Sequence, residues 1–183
     1  IKFNRSYGGE VYDAIKQIPE FINLVSDKRN QDLMESLRPK SFPGIASGGY
    51  GIRIDIPNEN KFKTNWHQEY PAQLRSLDGI VLWSPLVPIE ENIGPVNICP
   101  GSHKDGLRKV FKTDPSNPVK SGAYGLTFVK EREIISKYEI IAPLCKPGDL
   151  IIFDFCTIHS SGTNSSQRAR WSMQFRYFNF LEP

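Results

Sequence analysis

The stretch KPGDLIIFDFCTIHSSGTNSSQRARWSMQFRY, residues 146 to 177, carries the clearest structural signals in the chain. A Pro-Gly-Asp turn precedes an apolar run that we expect to be a strand ending at His159, where Ser, Gly, Thr and Asn indicate a loop. After the loop, polarity alternates with a period of two, which is typical of a strand with two different faces. The apolar face predicts a core, and the polar face looks either into a pocket or into solvent. The polar side chains are those of Arg170, Ser172, Gln174 and Arg176.

The rest of the chain predicts a β-rich domain with helices at its N-terminal side. Apolar residues at spacings of three and four predict one or two helices over residues 18 to 38. From Tyr50 onward the period changes to two, which predicts strands. Many short strands after a helical stretch are typical of a sandwich or a closed barrel. The predicted strands cover residues 50–57, 65–72, 79–86, 94–101, 139–145, 149–159 and 170–180.

Length and composition favour one domain over residues 1–183, with loss of an N-terminal part as the alternative for a chain that begins at Ile1. The three cysteines are far apart and lack CxxC spacing, so we expect no disulfide framework and a cytoplasmic location. A net charge of +3 is too small to indicate nucleic-acid binding. No apolar run reaches the roughly 18 residues of a membrane span. The composition leaves the oligomeric state open.

A second stretch, TNWHQEYPAQ (residues 64–73), predicts two metal ligands. On a strand, side chains two residues apart point the same way, so His67 and Glu69 would project together. An imidazole and a carboxylate on one face suit a divalent metal, with His159 as a third ligand from another strand. On its own, such a pair is more often a solvated polar face. If the polar face of residues 170–176 turns inward, Arg170 and Ser172 together suit a bound carboxylate.

The ordered set WHQEY, GPVNICPGSHKDG, PGDLIIFD and HSSGTNSSQRARWS resembles the phytanoyl-CoA dioxygenase family of Fe(II)- and 2-oxoglutarate-dependent oxygenases over residues 50–178. The resemblance implies a double-stranded β-helix (jelly roll) with N-terminal helices packed on it. It implies Fe(II) bound by His67, Glu69 and His159. It also implies that Arg170, eleven residues after His159, binds the far carboxylate of 2-oxoglutarate, with Ser172 and Ser161 beside the cosubstrate.

The resemblance further implies hydroxylation of a C–H bond of a small-molecule or carrier-linked substrate, with O2 consumed and 2-oxoglutarate decarboxylated to succinate. No catalytic residue is expected beyond the metal ligands. Trp83 and Arg53 are the candidates for substrate contact. The family usually has Asp where this chain has Glu69. A carboxylate at that position argues against a halogenase, since in the halogenases that resemble this pattern a small residue makes room for halide.

Two other functions stay open. One is a β-helix binding module without turnover, and the other is a cupin-type metal enzyme that does not use 2-oxoglutarate. His103 is a weaker candidate for an extra metal ligand. A zinc half-site of Cys156 and His159 is disfavoured, because their odd spacing puts them on opposite faces of a strand. The basic, turn-rich segment 101–132 is expected to be a lid or specificity loop, with an anionic substrate or a solvated surface as explanations of its charge.

Overall fold

A computed structural model describes residues 4, 6–112 and 125–182, which form a mainly β structure with helices at its N-terminal side. The helices are α1 (Tyr7–Ile15), α2 (Pro19–Val25), α3 (Lys28–Leu37), α4 (Tyr70–Gln73) and α5 (Glu131–Ile135). The strands are β1 (Pro43–Ile45), β2 (Gly51–Asp55), β3 (Gly79–Pro85), β4 (Val96–Ile98), β5 (Val110–Phe111), β6 (Thr127–Phe128), β7 (Ile151–Asp154), β8 (His159–Ser161) and β9 (Arg170–Asn179).

The larger sheet is organised around β9, the long strand that the alternating sequence predicts. On one side β9 pairs antiparallel with β3, in a register that runs from Gly79 opposite Phe178 to Pro85 opposite Ser172. On the other side it pairs antiparallel with β1 and then with β2. Strand β7 completes the sheet beside β3. In the order β2-β9-β3-β7, β9 is an inner strand, so its polar side chains project from the middle of the sheet.

The second layer is built on the antiparallel pair β4 and β8. An isolated bridge between His67 and His159 adds the segment around His67 next to β8, and a bridge between Ile98 and Ile141 adds another segment next to β4. Buried side chains from both layers share one cluster, which includes Trp83 of β3 and Val96 of β4. Two antiparallel layers stacked in this way confirm the predicted double-stranded β-helix.

The N-terminal helices cover the outer face of the larger sheet. Phe21 of α2 and Met34 of α3 are buried against Ile80 and Phe175, and the Phe21 and Phe175 rings meet edge to face with centroids 5.9 Å apart. Asp27 caps α3 by accepting a hydrogen bond from the Arg29 amide at 2.8 Å. The two helices confirm the prediction for residues 18–38, whereas α1 precedes the residues for which a helix was predicted.

Three predicted strands differ from the structure. Residues 65–72 do not form one strand, because Glu69 has helical dihedral angles (φ −71°, ψ −39°) and α4 begins at Tyr70. Residues 139–145 contribute only isolated bridges at Ile141 and Cys145. The run 149–159 is broken after Asp154, whose carboxylate accepts a 2.7 Å hydrogen bond from the Cys156 amide and so stabilises a turn. His159 therefore begins β8 instead of ending the preceding strand.

The segment predicted as a lid is described only in part, since residues 113–124 lie outside the described residues. Its described ends include the short pair β5 and β6 and the helix α5. Among the described helices, none is both long and apolar enough to cross a membrane.

Candidate metal centre and carboxylate pocket

A cavity of about 240 Å³ lies between the two layers of the β-helix. Its wall includes Arg170, Gln174 and Arg176 from β9, so the polar face of that strand looks inward, which excludes the solvent-facing alternative. His159 and Ser161 of β8 line the opposite side. The cavity is therefore lined by charged and polar side chains together with apolar ones such as Trp83 and Val96.

The structure brings His67, Glu69 and His159 together in this cavity. Oε1 of Glu69 lies 3.7 Å from Nε2 of His67 and 3.4 Å from Nε2 of His159. All three residues are buried, and their ligand atoms lie within 4.8 Å of one another. Among the described residues this is the one group of three or more His, Cys, Asp or Glu side chains with such spacing. The arrangement has the donor set of a two-histidine, one-carboxylate metal site.

Backbone contacts explain why these residues converge although Glu69 is not on a strand. The amide of His67 donates to the carbonyl of His159 at 3.0 Å, and the amide of His159 donates back to the carbonyl of His67 at 3.1 Å. The amide of Glu69 donates to the carbonyl of Phe155 at 2.8 Å. The segment that carries His67 and Glu69 is thus fixed to the segment that carries Phe155 and His159.

Both histidines have an orientation suited to metal binding. Nδ1 of His67 lies 2.8 Å from the carbonyl oxygen of Asn65, and Nδ1 of His159 lies 2.9 Å from that of Thr157. Because a carbonyl only accepts hydrogen bonds, each Nδ1 must carry the proton. A neutral imidazole protonated at Nδ1 offers its Nε2 lone pair to a metal, and both Nε2 atoms lie near Oε1 of Glu69. A cation between these acceptors would satisfy all of them.

The charge states agree with this arrangement. Burial, followed by the nearby His159, lowers the pKa of His67 to about 4, so this imidazole is neutral at pH 7. Burial raises the pKa of the Glu69 carboxyl, but the charge of Arg176 and the hydrogen bonds that Arg176 donates outweigh this effect. The pKa of Glu69 therefore lies well below its ordinary value, and the carboxylate is ionised.

Arg176 is a partner of Glu69 that the sequence did not indicate. Its Nε donates to Oε2 of Glu69 at 2.8 Å and its Nη2 donates to Oε1 at 2.9 Å. The sequence did show that Arg176 shares the polar face of β9 with Arg170, because the two are an even number of residues apart on a strand. A shared face does not show which residue of β9 contacts Glu69, because that depends on the path of the chain through α4.

The opposite part of the cavity contains Arg170, which is 2% exposed. Nε and Nη2 of Arg170 donate to Oδ2 of Asp55 at 3.2 and 2.6 Å, and Nη1 donates to the carbonyl of Gly94. Arg53 also donates to Asp55, with Nε 2.9 Å from each carboxylate oxygen. Burial raises the pKa of Asp55, but Arg53 and then Arg170 outweigh it and hold the pKa below its ordinary value. Two guanidinium groups share one carboxylate, so the cluster retains a positive charge for an anionic ligand.

Ser172 gives a separate indication of a ligand. Its side chain is fully buried, and within the described part of the chain its Oγ has no hydrogen-bond partner. A buried hydroxyl without a partner is unusual in a native protein, and a hydrogen bond to a bound ligand or an ordered water would satisfy it. Ser172 faces Arg53 across the β2–β9 register, close in sequence to Arg170. The residues therefore fit a bound carboxylate.

The other predicted contact residues have mixed positions. Ser161, Trp83 and Arg53 all line the cavity, so the structure places them where a ligand would bind, although their roles stay predictions. His103 is exposed in a 3₁₀ turn and is outside the metal-ligand group. Cys156 is likewise outside that group. The described residues of segment 101–132 do not line this cavity.

Comparison with known proteins agrees with the geometry. The family model described as phytanoyl-CoA dioxygenase (PhyH) matches residues 19–172. A phytanoyl-CoA dioxygenase domain-containing protein 1 homolog of Dictyostelium discoideum is 34% identical over 160 residues, covering 83% of this chain and 52% of that protein. An ectoine dioxygenase of Sphingopyxis alaskensis is 31% identical over 169 residues, covering 84% of this chain and 52% of the relative. The chain thus spans about half the length of these curated relatives.

Solved structures share the fold at lower identity. EctD from S. alaskensis with 2-oxoglutarate and 5-hydroxyectoine superposes with a TM-score of 0.68 at 19% identity, covering 93% of this chain and 56% of that one. The epimerase SnoN in complex with Fe3+, alpha ketoglutarate and nogalamycin RO also gives a TM-score of 0.68, at 20% identity, with 92% of this chain and 62% of that one covered. At such identities the likeness shows the fold, and the chemistry has to be argued from the residues.

Proposed function

Because the chain belongs to the phytanoyl-CoA dioxygenase family, we propose that it is an Fe(II)- and 2-oxoglutarate-dependent oxygenase that hydroxylates a C–H bond of a small molecule or a carrier-linked molecule. The observation that carries the proposal is the convergence of His67, Glu69 and His159 in a cavity whose other side holds Arg170. The unpaired hydroxyl of Ser172 is buried two residues further along β9. A metal site or a carboxylate site alone would fit many proteins. The two in one cavity fit a metal that binds a dicarboxylic keto acid.

His67, Glu69 and His159 would hold Fe(II), and a two-histidine, one-carboxylate set leaves further coordination positions open. When bound, iron and 2-oxoglutarate supply the activation of O2, with decarboxylation of the keto acid to succinate. The backbone bridge between His67 and His159 keeps the two imidazoles at a fixed separation. The Nδ1 hydrogen bonds to the Asn65 and Thr157 carbonyls keep each ring in the tautomer that offers Nε2.

Arg170 would bind the far carboxylate of 2-oxoglutarate, and the hydroxyl of Ser172 would donate to the same group. Asp55 holds the guanidinium of Arg170 in one orientation, so its position is set before the ligand arrives. Ser161, on β8 beside His159, would lie along the cosubstrate. Trp83 and Arg53 line the same cavity and are the proposed contacts to substrate. The enclosure of the site between two layers limits the access of water.

The relatives support a small-molecule substrate, since the solved relatives include complexes with 5-hydroxyectoine and with nogalamycin RO. Excess positive charge near Arg53 and Arg170 also attracts anions, which accounts for the cosubstrate without requiring an anionic substrate. The cysteines of the described residues, Cys99, Cys145 and Cys156, are all free. Free thiols support the proposal that the protein works in a reducing compartment such as the cytoplasm.

The test is an anaerobic titration of the purified protein with Fe(II) and 2-oxoglutarate, observed through the weak visible charge-transfer band of an iron-chelated keto acid. We expect the band in the wild-type protein and its loss in His159→Ala. We also expect the wild-type protein to consume 2-oxoglutarate slowly when O2 is admitted. A band without consumption under any condition would favour the binding module. Metal binding without a band, with a metal-dependent activity that survives Arg170→Ala, would favour the cupin-type enzyme.

A further inference from the structure

Glu69 and Arg176 form a buried, two-pronged ion pair at the metal site. Nε and Nη2 of Arg176 each approach a different oxygen of Glu69, at 2.8 and 2.9 Å. The Glu69 side chain is 3% exposed and that of Arg176 is 12% exposed. We propose that Arg176 is a positioning residue that orients the Glu69 carboxylate so that Oε1 faces both imidazoles, and that it thereby makes glutamate usable as the metal ligand. The proposal rests on the metal site proposed above.

Glutamate at this position needs external orientation. Its side chain has one more rotatable bond than aspartate, and Glu69 lies at the start of α4, where the backbone no longer follows a strand. A planar guanidinium matches both oxygens of a carboxylate at once and so fixes the plane of the carboxylate as well as its position. With Oε2 against Nε of Arg176, Oε1 is the oxygen left nearest to the histidines, 3.4 Å from Nε2 of His159.

Arg176 is itself held in place by the surrounding chain. Its Nη1 donates to the carbonyl of Gly49 at 3.1 Å and its Nη2 approaches Oε1 of Gln174 at 3.2 Å. The amide of Ala46 donates to the carbonyl of Arg176 at 3.0 Å. A Cβ atom at Gly49 would lie 2.7 Å from Cβ of Ala46 in the same turn and 3.2 Å from Cβ of Arg176, so there is no room for a side chain at this position beside β9. The guanidinium therefore has a fixed place from which to orient Glu69.

Removal of the guanidinium would have two opposing effects on metal binding. Loss of a positive charge beside the site would favour a divalent cation. Loss of the fork would leave the buried Glu69 carboxylate without the two hydrogen bonds that fix its plane, so it could rotate away from the imidazoles. We expect the loss of orientation to dominate, because the Glu69 carboxylate is then no longer held where it can bind the metal. The two effects have opposite signs, so one measurement separates them.

The test is Co(II) binding to the otherwise metal-free protein, followed by the visible d–d spectrum, which reports ligand geometry independently of turnover. In Arg176→Gln we expect the dissociation constant for Co(II) to rise about 10- to 100-fold, the range for losing an outer contact to a metal ligand, and the spectrum to change. Arg176→Lys keeps the charge but not the fork, so we expect its Co(II) dissociation constant to lie between those of wild type and Arg176→Gln. Arg38→Gln is the matched control, since Arg38 also bridges carboxylates, Asp78 at 2.6 Å and Asp154 at 2.5 Å, at a place that does not line the cavity.

A second comparison uses the length of the ligand. Glu69→Asp shortens the side chain by one methylene and withdraws the carboxylate from Arg176. The double variant Glu69→Asp, Arg176→Gln should therefore differ from Glu69→Asp in Co(II) affinity by less than about threefold, because the two residues no longer interact. Unchanged or tighter Co(II) binding with a wild-type spectrum in folded Arg176→Gln or Arg176→Lys would overturn the positioning role. Equal Co(II) binding by wild type and His159→Ala would instead refute the metal site itself, which is a different result.

Discussion

Nη2 of Arg170 donates a 2.6 Å hydrogen bond to Oδ2 of Asp55, and the same carboxylate lies 2.9 Å from Nε of Arg53 at both of its oxygens. One carboxylate thus holds two guanidinium groups that would otherwise repel each other in a confined space. The relationship links the fold to the proposed cosubstrate site, because Asp55 and Arg170 are also partners in the pairing of β2 with β9.

Asp55→Asn should destabilise the protein by about 1.5–3 kcal/mol at pH 7, the range for a lost hydrogen bond to a charged group. The pKa of Asp55 is lowered in the folded protein from an ordinary value of 3.8, so the folded state favours the ionised form. Its contribution is therefore complete above about pH 5 and is lost as the pH falls through the folded pKa. Urea unfolding of wild type and variant at several pH values measures this difference. A difference that grows on acidification would contradict the assignment.

Arg170→Gln should weaken 2-oxoglutarate binding about 10- to 150-fold, which corresponds to losing about 1.5–3 kcal/mol from hydrogen bonds between charged groups. Calorimetric titration of the Fe(II) or Co(II) protein with 2-oxoglutarate measures the affinity without turnover. Arg168→Gln is the matched control, because Arg168 is two residues away but 52% exposed at its side chain and paired with Glu90. Equal losses in both variants would mean that general charge, and not a specific contact, attracts the cosubstrate.

Ser172→Ala should affect the free and the ligand-bound protein differently. The Ser172 hydroxyl lacks a partner among the described residues, so its removal should leave the stability of the free protein unchanged or slightly raised. If this hydroxyl donates to 2-oxoglutarate, the affinity should fall about 3- to 10-fold, or about 0.5–1.5 kcal/mol.

Ser84→Ala is the control for Ser172, since Oγ of Ser84 donates to the carbonyl of Asp149 at 2.8 Å. That variant should lose stability and keep 2-oxoglutarate affinity. Thermal unfolding and calorimetric titration of both variants measure the two quantities. A Ser172→Ala variant that is destabilised while its affinity is unchanged would show that the hydroxyl has only a structural role.

Regular alternation made β9 predictable, and with it the face that Arg170 and Ser172 share, because a period of two fixes the two faces of a strand. The alternation left open whether that face looks inward, which depends on the second layer of the fold. The segment around Glu69 was not predictable in the same way. Its sequence alternates like a strand, yet Pro71 lies at the start of a helix and tertiary contacts to Phe155 and His159 decide the local path. The proposed metal ligands were found in spite of this, since the resemblance identified them by motif and did not depend on the strand.

Most of the contacts that were not predictable from the sequence are ion pairs between residues far apart in the chain. The pairing of Arg176 with Glu69 joins residues 107 positions apart, and no local pattern encodes such a contact. The same holds for Asp55 and Arg170, which are 115 positions apart. Helix α1 was missed because Gly8 and Gly9 lower the helix propensity of its sequence. One of its contacts to the sheet is made by a tyrosine hydroxyl, since Tyr12 accepts from the amide of Ile54 at 3.1 Å.

Gln68 lies between two proposed metal ligands and ties them to the chain around them. Its side chain is fully buried, with Nε2 donating to the carbonyls of Cys156 at 2.6 Å and Gly106 at 3.0 Å, while Oε1 accepts from the amide of Arg108 at 2.9 Å. These contacts fix the segment that carries His67 against the turn before β8. They also connect the proposed metal site to the described start of the segment expected to act as a lid.

Gln68→Leu should therefore lower the free energy of unfolding by about 3 kcal/mol or more, since each buried group left unsatisfied costs about 1–3 kcal/mol. We also expect weaker Co(II) binding, because His67 loses the support of its neighbour. Gln31→Leu is the control: Gln31 donates to the carbonyl of Ser26 at 2.8 Å on an exposed surface, so its loss should cost little. Urea unfolding and Co(II) titration measure both effects. If Gln68→Leu is destabilised but binds Co(II) as tightly as wild type, then the backbone bridge between His67 and His159 holds the ligands without help from Gln68.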